Sequence, residues 1–243
     1  MICLYYVKFD GVLSAPRFTE ALRSLPGAMQ QQVVRFRYAA DQHRSLYGKL
    51  LLRYALRQQH LPDSWLGQVS TGAYQRPQLN ALVDFNISHS GDVVLCGLAT
   101  EGTRIGVDVE EMKPIDWRDF EAIWRPDEWA YITGGGSAQQ MTRFYTCWTQ
   151  KEAIMKADGR GMSLPVQQIW LDQATLTAQV GLQRWQLVPL TLAEGYQAHL
   201  ATNKVGDAMR VQAVNVDQLL DEPAPRPILP RYVTGGRLAI LSD

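Results

Sequence analysis

Asp108 and Glu110 stand two residues apart in Ile105-Gly106-Val107-Asp108-Val109-Glu110, where apolar and polar side chains alternate. As a strand, this segment puts Ile105, Val107 and Val109 on one face and both carboxylates on the other. The two Cα atoms would lie ~7 Å apart, close enough for the carboxylates to share one cation. Adjacent carboxylates repel each other, and a hard divalent ion such as Mg²⁺, which takes oxygen ligands, removes that repulsion. The plain structural alternative is an amphipathic edge strand with a wet polar face.

A second group of chemically capable residues lies in a helical pattern from Phe144 to Lys156. At ~100° per residue, Phe144, Cys147, Trp148, Ile154 and Met155 fall in one apolar arc, and Lys151 lies inside it. A lysine on a buried stripe is costly unless its ammonium reaches water or an anion. Glu152 and Lys156, four residues apart, sit side by side on the flank of the arc near Trp148. They read either as an ordinary surface pair worth ~0.2–0.5 kcal/mol, or as a third carboxylate beside lysines that face phosphate oxygens.

A third stretch, Phe85-Asn86-Ile87-Ser88-His89-Ser90-Gly91, is dense in hydroxyl and imidazole groups. Adjacent Ser and His side chains diverge, and no G-x-S-x-G elbow surrounds either serine, which disfavours a hydrolase triad. The same donors suit a bound phosphate, with Arg44 and Arg76 upstream as further cations. A polar turn with a capping serine would satisfy the same pattern.

These side chains need elements to position them. Residues 1–8 read as a short strand, and 41–59 as a helix burying Leu46, Leu50, Leu51 and Tyr54. Lys49, Arg53 and Arg57 recur every four residues on that helix as a basic ridge, read as a solvated face, with an acidic partner as the other reading. After the turn-rich passage 71–77, strands are expected at 93–99 and, past Glu101-Gly102-Thr103, at 105–110. Helical segments at 116–124 and 127–132 are split by Pro126. Gly134-Gly135-Gly136-Ser137 reads as the most flexible stretch, because glycine barely restricts φ and ψ. A strong helix over 141–157 ends at Asp158-Gly159. The chain from there alternates like strands, notably at 185–188 and 197–201, until the Pro-rich stretch 223–230, which reads as surface-packed chain without regular structure. Interspersed helices and hairpin-spaced strands predict an α+β fold.

Composition sets the outer bounds. A chain of 243 residues with 46% hydrophobic content can bury a sizeable core, as one large domain or two of ~120 residues. Lys and Arg balance Asp and Glu at 24 each, which argues against a general nucleic-acid binder. The balance is uneven along the chain: residues 1–105 carry eleven Lys/Arg against seven Asp/Glu, and residues 106–128 carry three against eight. That division suits an anionic ligand neutralised partly by the first segment and partly through a metal held by the second. Solvated surface is the plain alternative. Apolar runs such as Val93-Val94-Leu95-Cys96 fall far short of the ~18 residues of a membrane span, and residues 1–10 lack a secretory pattern. Three widely spaced cysteines without a C-x-x-C pair fit a reducing cytoplasm. The reading is a soluble cytoplasmic protein.

Taken together, F-N-I-S-H-S (85–90), I-G-V-D-V-E (105–110) and W-T-Q-K-E-A-I-M-K (148–156) resemble the signature of the 4′-phosphopantetheinyl transferases. The likeness is to the large, monomeric, surfactin-synthetase-activating (Sfp-type) class. Asp41-Gln42-His43-Arg44 and Gly159-Arg160-Gly161-Met162-Ser163-Leu164-Pro165 fit the same pattern, in order, across about residues 35–200.

The resemblance implies two similar α/β halves, a pseudo-duplicated fold, meeting at a cleft. Residues 1–104 would form the basic, coenzyme A-binding half. Residues 105–243 would form the half with the metal-binding carboxylates, lysines, carrier-docking surface and C-terminal tail. The implied activity moves the 4′-phosphopantetheine arm of coenzyme A to a serine of an apo acyl or peptidyl carrier protein and releases 3′,5′-ADP. Asp108, Glu110 and Glu152 would hold Mg²⁺, or Mn²⁺ on the same oxygens, against the pyrophosphate. Glu152 would also serve as base, Lys156 would bind the pyrophosphate and stabilise the leaving group, and Lys151 would lie nearby. Arg44, Ser88 and His89 would grip the 3′-phosphate, while Arg76 and Pro77 would border the adenine. Residues 134–137 would fall where relatives contact carriers.

The chain also departs from the family pattern. Met29-Gln30-Gln31-Gln32 replaces lysines that help bind the 3′-phosphate in many relatives, so that contact would weaken or move to Arg35 or Arg37. Gln75-Arg76-Pro77 stands for the usual Gly-Lys-Pro. Both changes predict coenzyme A affinity below the family's usual level. Two other readings use the same residues: a carrier-binding module without catalysis, and a metal-dependent phosphohydrolase that would break coenzyme A with no carrier present.

Overall fold

The computed structural model describes residues 1–221; the Pro-rich stretch 223–230 lies outside them. The chain opens with β1 (Ile2–Lys8), followed by α1 (Ala15–Arg23), α2 (Gly27–Val34) and the long α3 (Ala39–Gln58). A two-rung ladder, β2 (Ser70–Thr71) with β3 (Pro77–Gln78), precedes the hairpin of β4 (Asp84–Ser90) and β5 (Val93–Ala99). Next come β6 (Ile105–Glu111), a 3₁₀ turn at Trp117–Ile123, α4 (Pro126–Thr133) and α5 (Ser137–Asp158). An antiparallel meander follows, built of β7 (Ile169–Asp172), β8 (Thr177–Val180), β9 (Gln183–Pro189) and β10 (Tyr196–Thr202). The described chain finishes with β11 (Met209–Ala213) and α6 (Val216–Asp221).

These elements make the expected α+β fold from two main sheets. One runs β11-β1-β5-β4 and the other β6-β10-β9-β8-β7. In each, the first strand pairs antiparallel with a later return strand, β1 with β5 and β6 with β10, and a long helix covers one face. β11 crosses back to lie parallel beside β1, so residues 209–213 belong to the first sheet.

The cores follow from side-chain alternation. Cys3, Tyr5 and Val7 point with Val94, Cys96 and Leu98 towards α3, whose Leu46, Leu50, Leu51 and Tyr54 are buried as expected. The opposite face, Ile2, Leu4, Val93 and Leu95, packs on Ile105, Val107, Val109, Ala198 and Leu200 of the second sheet. α5 then covers the far side through Ala153, Ile154 and Met155 against Trp185 and Leu187. Each large aliphatic side chain so buried contributes about 1.5–3 kcal/mol. The apolar run 93–96 is explained by its place: β5 is central, with both faces covered.

The basic ridge on α3 is not a solvated face. Arg53 is buried and donates to Ser24 Oγ and the Leu219 carbonyl, while Arg57 forks onto Asp63. Guanidinium groups carry enough donors to be buried when acceptors surround them. Residues 134–137 are also braced: Gln140 Nε2 donates to the Thr133 and Gly135 carbonyls, and Arg143 Nη1 to those of Tyr131 and Gly134. Among the described residues, no helix is long and apolar enough to cross a membrane.

Candidate active site

The segment 85–90, for which a polar turn was one of two readings, is a full strand, and its alternation makes the site. Phe85 and Ile87 pack on the first core, while Asp84, Asn86, Ser88 and Ser90 face β6. β6 is an edge strand whose outward N–H groups need acceptors. Those of Ile105, Val107, Val109 and Glu111 donate in turn to Asp84 Oδ2, Asn86 Oδ1, Ser88 Oγ and Ser90 Oγ, at 2.9, 2.9, 3.3 and 3.1 Å. Side chains thus do the work of a neighbouring strand and stitch the two sheets together.

The same stitch orients the carboxylates. Ser88 Oγ donates to Asp108 Oδ1 at 2.9 Å and Ser90 Oγ to Glu110 Oε2 at 2.6 Å. From the other side, Lys156 Nζ of α5 donates to Asp108 Oδ1 at 2.6 Å and to Ser88 Oγ at 2.9 Å. Ile87, Ser88, His89, Asp108, Glu110, Trp148, Glu152 and Lys156 line one open cleft of about 290 Å³ between β4, β6 and α5. α5 reaches β6 this closely because Gly106 has no side chain: a Cβ there would meet the Ala153 carbonyl oxygen at 2.1 Å.

Electrostatics in the cleft reflect crowding of like charge. Burial, and behind it the charges of Asp108 and Glu110, raise the Glu152 carboxyl above its ordinary range, against the pull of Lys156. Burial and then Asp108 raise Glu110, against the hydrogen bond from Ser90. His89 is an exposed residue at the cleft's edge. Its imidazole is held below the usual range by partial desolvation and then by the charges of Lys156 and Arg44. Arg44 stands nearby, donating Nε to the Gly91 carbonyl and Nη1 to Asp41.

The oxygens suit a hard divalent cation, and Asp108 Oδ2 is buried without a hydrogen-bond partner. Among the described residues, however, no group of three or more His, Cys, Asp or Glu is placed to hold an ion as it stands. One Asp108 oxygen is instead taken by Lys156. The carboxylates share the cleft, but their expected closure around a single ion is not seen in this side-chain arrangement.

Lys151, expected near Lys156, is turned away from the cleft, and Arg76 and Pro77, expected beside the adenine, are not among the residues that line it. Lys151 is completely buried on the far side of α5. Its ammonium pairs with Glu128 of α4 at 2.7 Å, donates to the Val166 and Ile169 carbonyls, and lies 5.5 Å from the Trp124 ring centroid. Burial pulls its pKa down, partly offset by Glu128. The anion required by its place on an apolar stripe is therefore an internal carboxylate. Arg76 is buried against Asp84, and Pro77 sits exposed in the small β2–β3 ladder. Ser88 is in the cleft, but its hydroxyl is committed to β6 and Lys156. The residues that sequence reasoning overlooked are Ser90 and Asn86, and the signal was present: D-F-N-I-S-H-S alternates polar and apolar with period two.

Comparison with known proteins gives two adjoining matches. Residues 14–102 match the family described as 4′-phosphopantetheinyl transferase, N-terminal, and residues 104–201 match the 4′-phosphopantetheinyl transferase superfamily. The chain is 32% identical over 165 residues to a 4′-phosphopantetheinyl transferase of Bacillus subtilis, covering 67% of this chain and 73% of that one. It is 28% identical over 195 residues to the 4′-phosphopantetheinyl transferase gsp of Aneurinibacillus migulanus, covering 80% and 81%. To the 4′-phosphopantetheinyl transferase AcpT of Salmonella typhimurium it is 34% identical over 150 residues, covering 61% and 73%.

Proposed function

Since the chain belongs to the 4′-phosphopantetheinyl transferase family and is an enzyme of that activity, we propose that it moves the 4′-phosphopantetheine of coenzyme A to a serine of an apo acyl or peptidyl carrier protein. The second product is 3′,5′-ADP, and the reaction depends on Mg²⁺. The observation that carries this reading is the cleft in which Asp108, Glu110 and Glu152 share a wall with Lys156 and His89.

Asp108, Glu110 and Glu152 would hold the metal, which when bound supplies a Lewis acid and a template on the pyrophosphate. The protein's own groups do the rest. Glu152 takes the proton of the carrier serine, directly or through one water, from its place in the cleft wall. The serine oxygen bonds to the phosphorus that bears the pantetheine arm, and the bond from that phosphorus to the ADP oxygen breaks. Lys156 neutralises the charge left on 3′,5′-ADP. Positioning and charge neutralisation are the main levers in such transfers.

Arg44 and His89 suit the 3′-phosphate, since His89 lines the cleft, Arg44 lies near it and both carry N–H donors, and Ser88 acts instead on Asp108. The first sheet with α3 thus supplies Arg44 and His89, and the second sheet with α5 supplies the carboxylates and Lys156. Because both sides come from one chain, we infer a monomeric enzyme.

The test is incubation of an apo carrier with the enzyme, coenzyme A and Mg²⁺. The expected mass gain is ~340 Da on the carrier, that of a phosphopantetheine added by phosphoryl-type transfer. Glu152→Gln should abolish the gain while the protein stays folded. Breakdown of coenzyme A without a carrier, or full activity in Glu152→Gln or in chelator, would overturn the reading.

A further inference from the structure

Arg76 is 7% exposed and has four of its five N–H groups engaged within the protein. Nη1 and Nη2 fork onto the two oxygens of Asp84 at 2.7 and 2.8 Å. Nε donates to the Lys156 carbonyl at 2.8 Å, and Nη2 also donates to the Ile105 carbonyl at 2.9 Å. One planar guanidinium therefore touches the end of α5, the start of β4 and the start of β6. Asp84 closes the loop, because its Oδ2 accepts the Ile105 N–H.

The last turn of α5 presents carbonyls without helical partners, and cations suit that end of the dipole. Arg104 completes the set by donating Nη2 to the Ala157 and Asp158 carbonyls. Gly159 makes room for both arginines. It turns the chain at φ +94°, and a Cβ there would stand 3.1 Å from Arg76 Cδ and from Arg104 Nη2.

We propose that Arg76 is a positioning residue for the transfer reaction: it clamps the end of α5 to β4 and β6 and so sets Lys156 and Glu152 opposite Asp108 and Glu110. It acts through the Lys156 backbone and Asp84, not by touching coenzyme A. The arginine in Gln75-Arg76-Pro77 is then the reason for the departure from lysine: a single ammonium cannot fork onto a carboxylate and hold two carbonyls as well.

The kinetic half of the test rests on the transferase reading; the other half does not. Arg76→Lys and Asp84→Asn should each lower kcat ~10- to 100-fold, the scale of a displacement near 1 Å at the reacting groups. The KM for coenzyme A should stay within about twofold. In the absence of any substrate, hydrogen exchange at the amides of residues 153–159 should be faster in both variants than in the parent protein. A KM for coenzyme A that rises with kcat preserved would overturn the proposal in favour of direct ligand contact. Unchanged exchange over 153–159 would overturn it as well, and that measurement requires no turnover. A parent protein that modifies no carrier would count against the transferase reading alone. If Arg76→Lys does not fold, Asp84→Asn, which keeps the arginine and weakens the fork together with the Asp84 contact to Ile105, decides between these outcomes.

Discussion

Lys156 Nζ lies 2.6 Å from Asp108 Oδ1, so the helix and the strand that carry the acidic cluster are joined by an ion pair in the wall of the cleft. The pair is lopsided: the lysine side chain is 26% exposed, the aspartate 3%. The second aspartate oxygen already lacks a partner. Removing the ammonium would leave a buried carboxylate held only by Ser88.

Lys156→Met should therefore cost about 1–3 kcal/mol of stability, the penalty for a buried polar group losing its partner, as well as abolishing transfer. Asp108→Asn keeps the shape and the acceptor for Ser88, so its melting temperature should stay near the parent's while transfer is lost. Thermal melts beside the carrier mass assay separate the two effects. Full activity in Asp108→Asn would remove that carboxylate from the chemistry.

Lys151 offers a contrasting outcome. Its pair with Glu128 is buried on both sides, so Lys151→Met strands a carboxylate and should cost about 3–5 kcal/mol. Lys151→Met combined with Glu128→Leu removes both charges and should recover most of that loss. The KM for coenzyme A should not move in the double variant. A protein with parental stability and a sharply raised KM in Lys151→Met would restore the phosphate-facing role.

Gly106 tests the seat of α5 on β6. A methyl group there meets the backbone at Ala153 O and Ala157 N, neither of which can rotate away. Gly106→Ala should cost about 1–3 kcal/mol and lower kcat by more than ~10-fold at temperatures where it remains folded. Gly136→Ala is the control, with nothing near an added Cβ and φ at −76°. It should shift stability by less than about 0.5 kcal/mol.

Legibility from the sequence followed periodicity. β5 is found at 93–99 as expected, and β6 runs one residue past the expected 105–110. α3 begins two residues before the expected 41 and ends one before the expected 59, and α5 runs past both ends of the expected 141–157, because their apolar faces are long and regular. The helices α1 and α2 were not legible, being short, and alternation beyond residue 160 showed strands there without fixing the bounds of β7, β8 and β11. The carboxylates and Lys156 were legible because a strand of alternating character and a helix with a polar flank are local patterns. The fates of Lys151 and Arg76 were not, because their partners Glu128 and the Lys156 carbonyl belong to elements remote in sequence. Alternation could place Ser88 and Ser90 on one face, but not reveal that the face meets another strand's unpaired N–H groups.

His199 sits opposite Asp108 on β10, is 2% exposed, and shares a hydrogen bond with Thr149 through Nδ1. Burial drives its pKa down to about 4 from an ordinary 6.5. The folded protein keeps the ring neutral, whereas the unfolded chain takes up a proton below about pH 6.5. Between those values the unfolded state binds more protons, so stability rises with pH there and falls as the solution is acidified. The contribution is complete above about pH 6.5 and gone below about pH 4, on the order of 3 kcal/mol across the window. Unfolding free energies measured by denaturant titration from pH 4 to 7 should show this slope in the parent protein. They should show a clearly shallower one in His199→Asn, which cannot titrate there. Equal slopes in the two proteins would mean that His199 is already protonated in the fold or that its burial carries no such penalty.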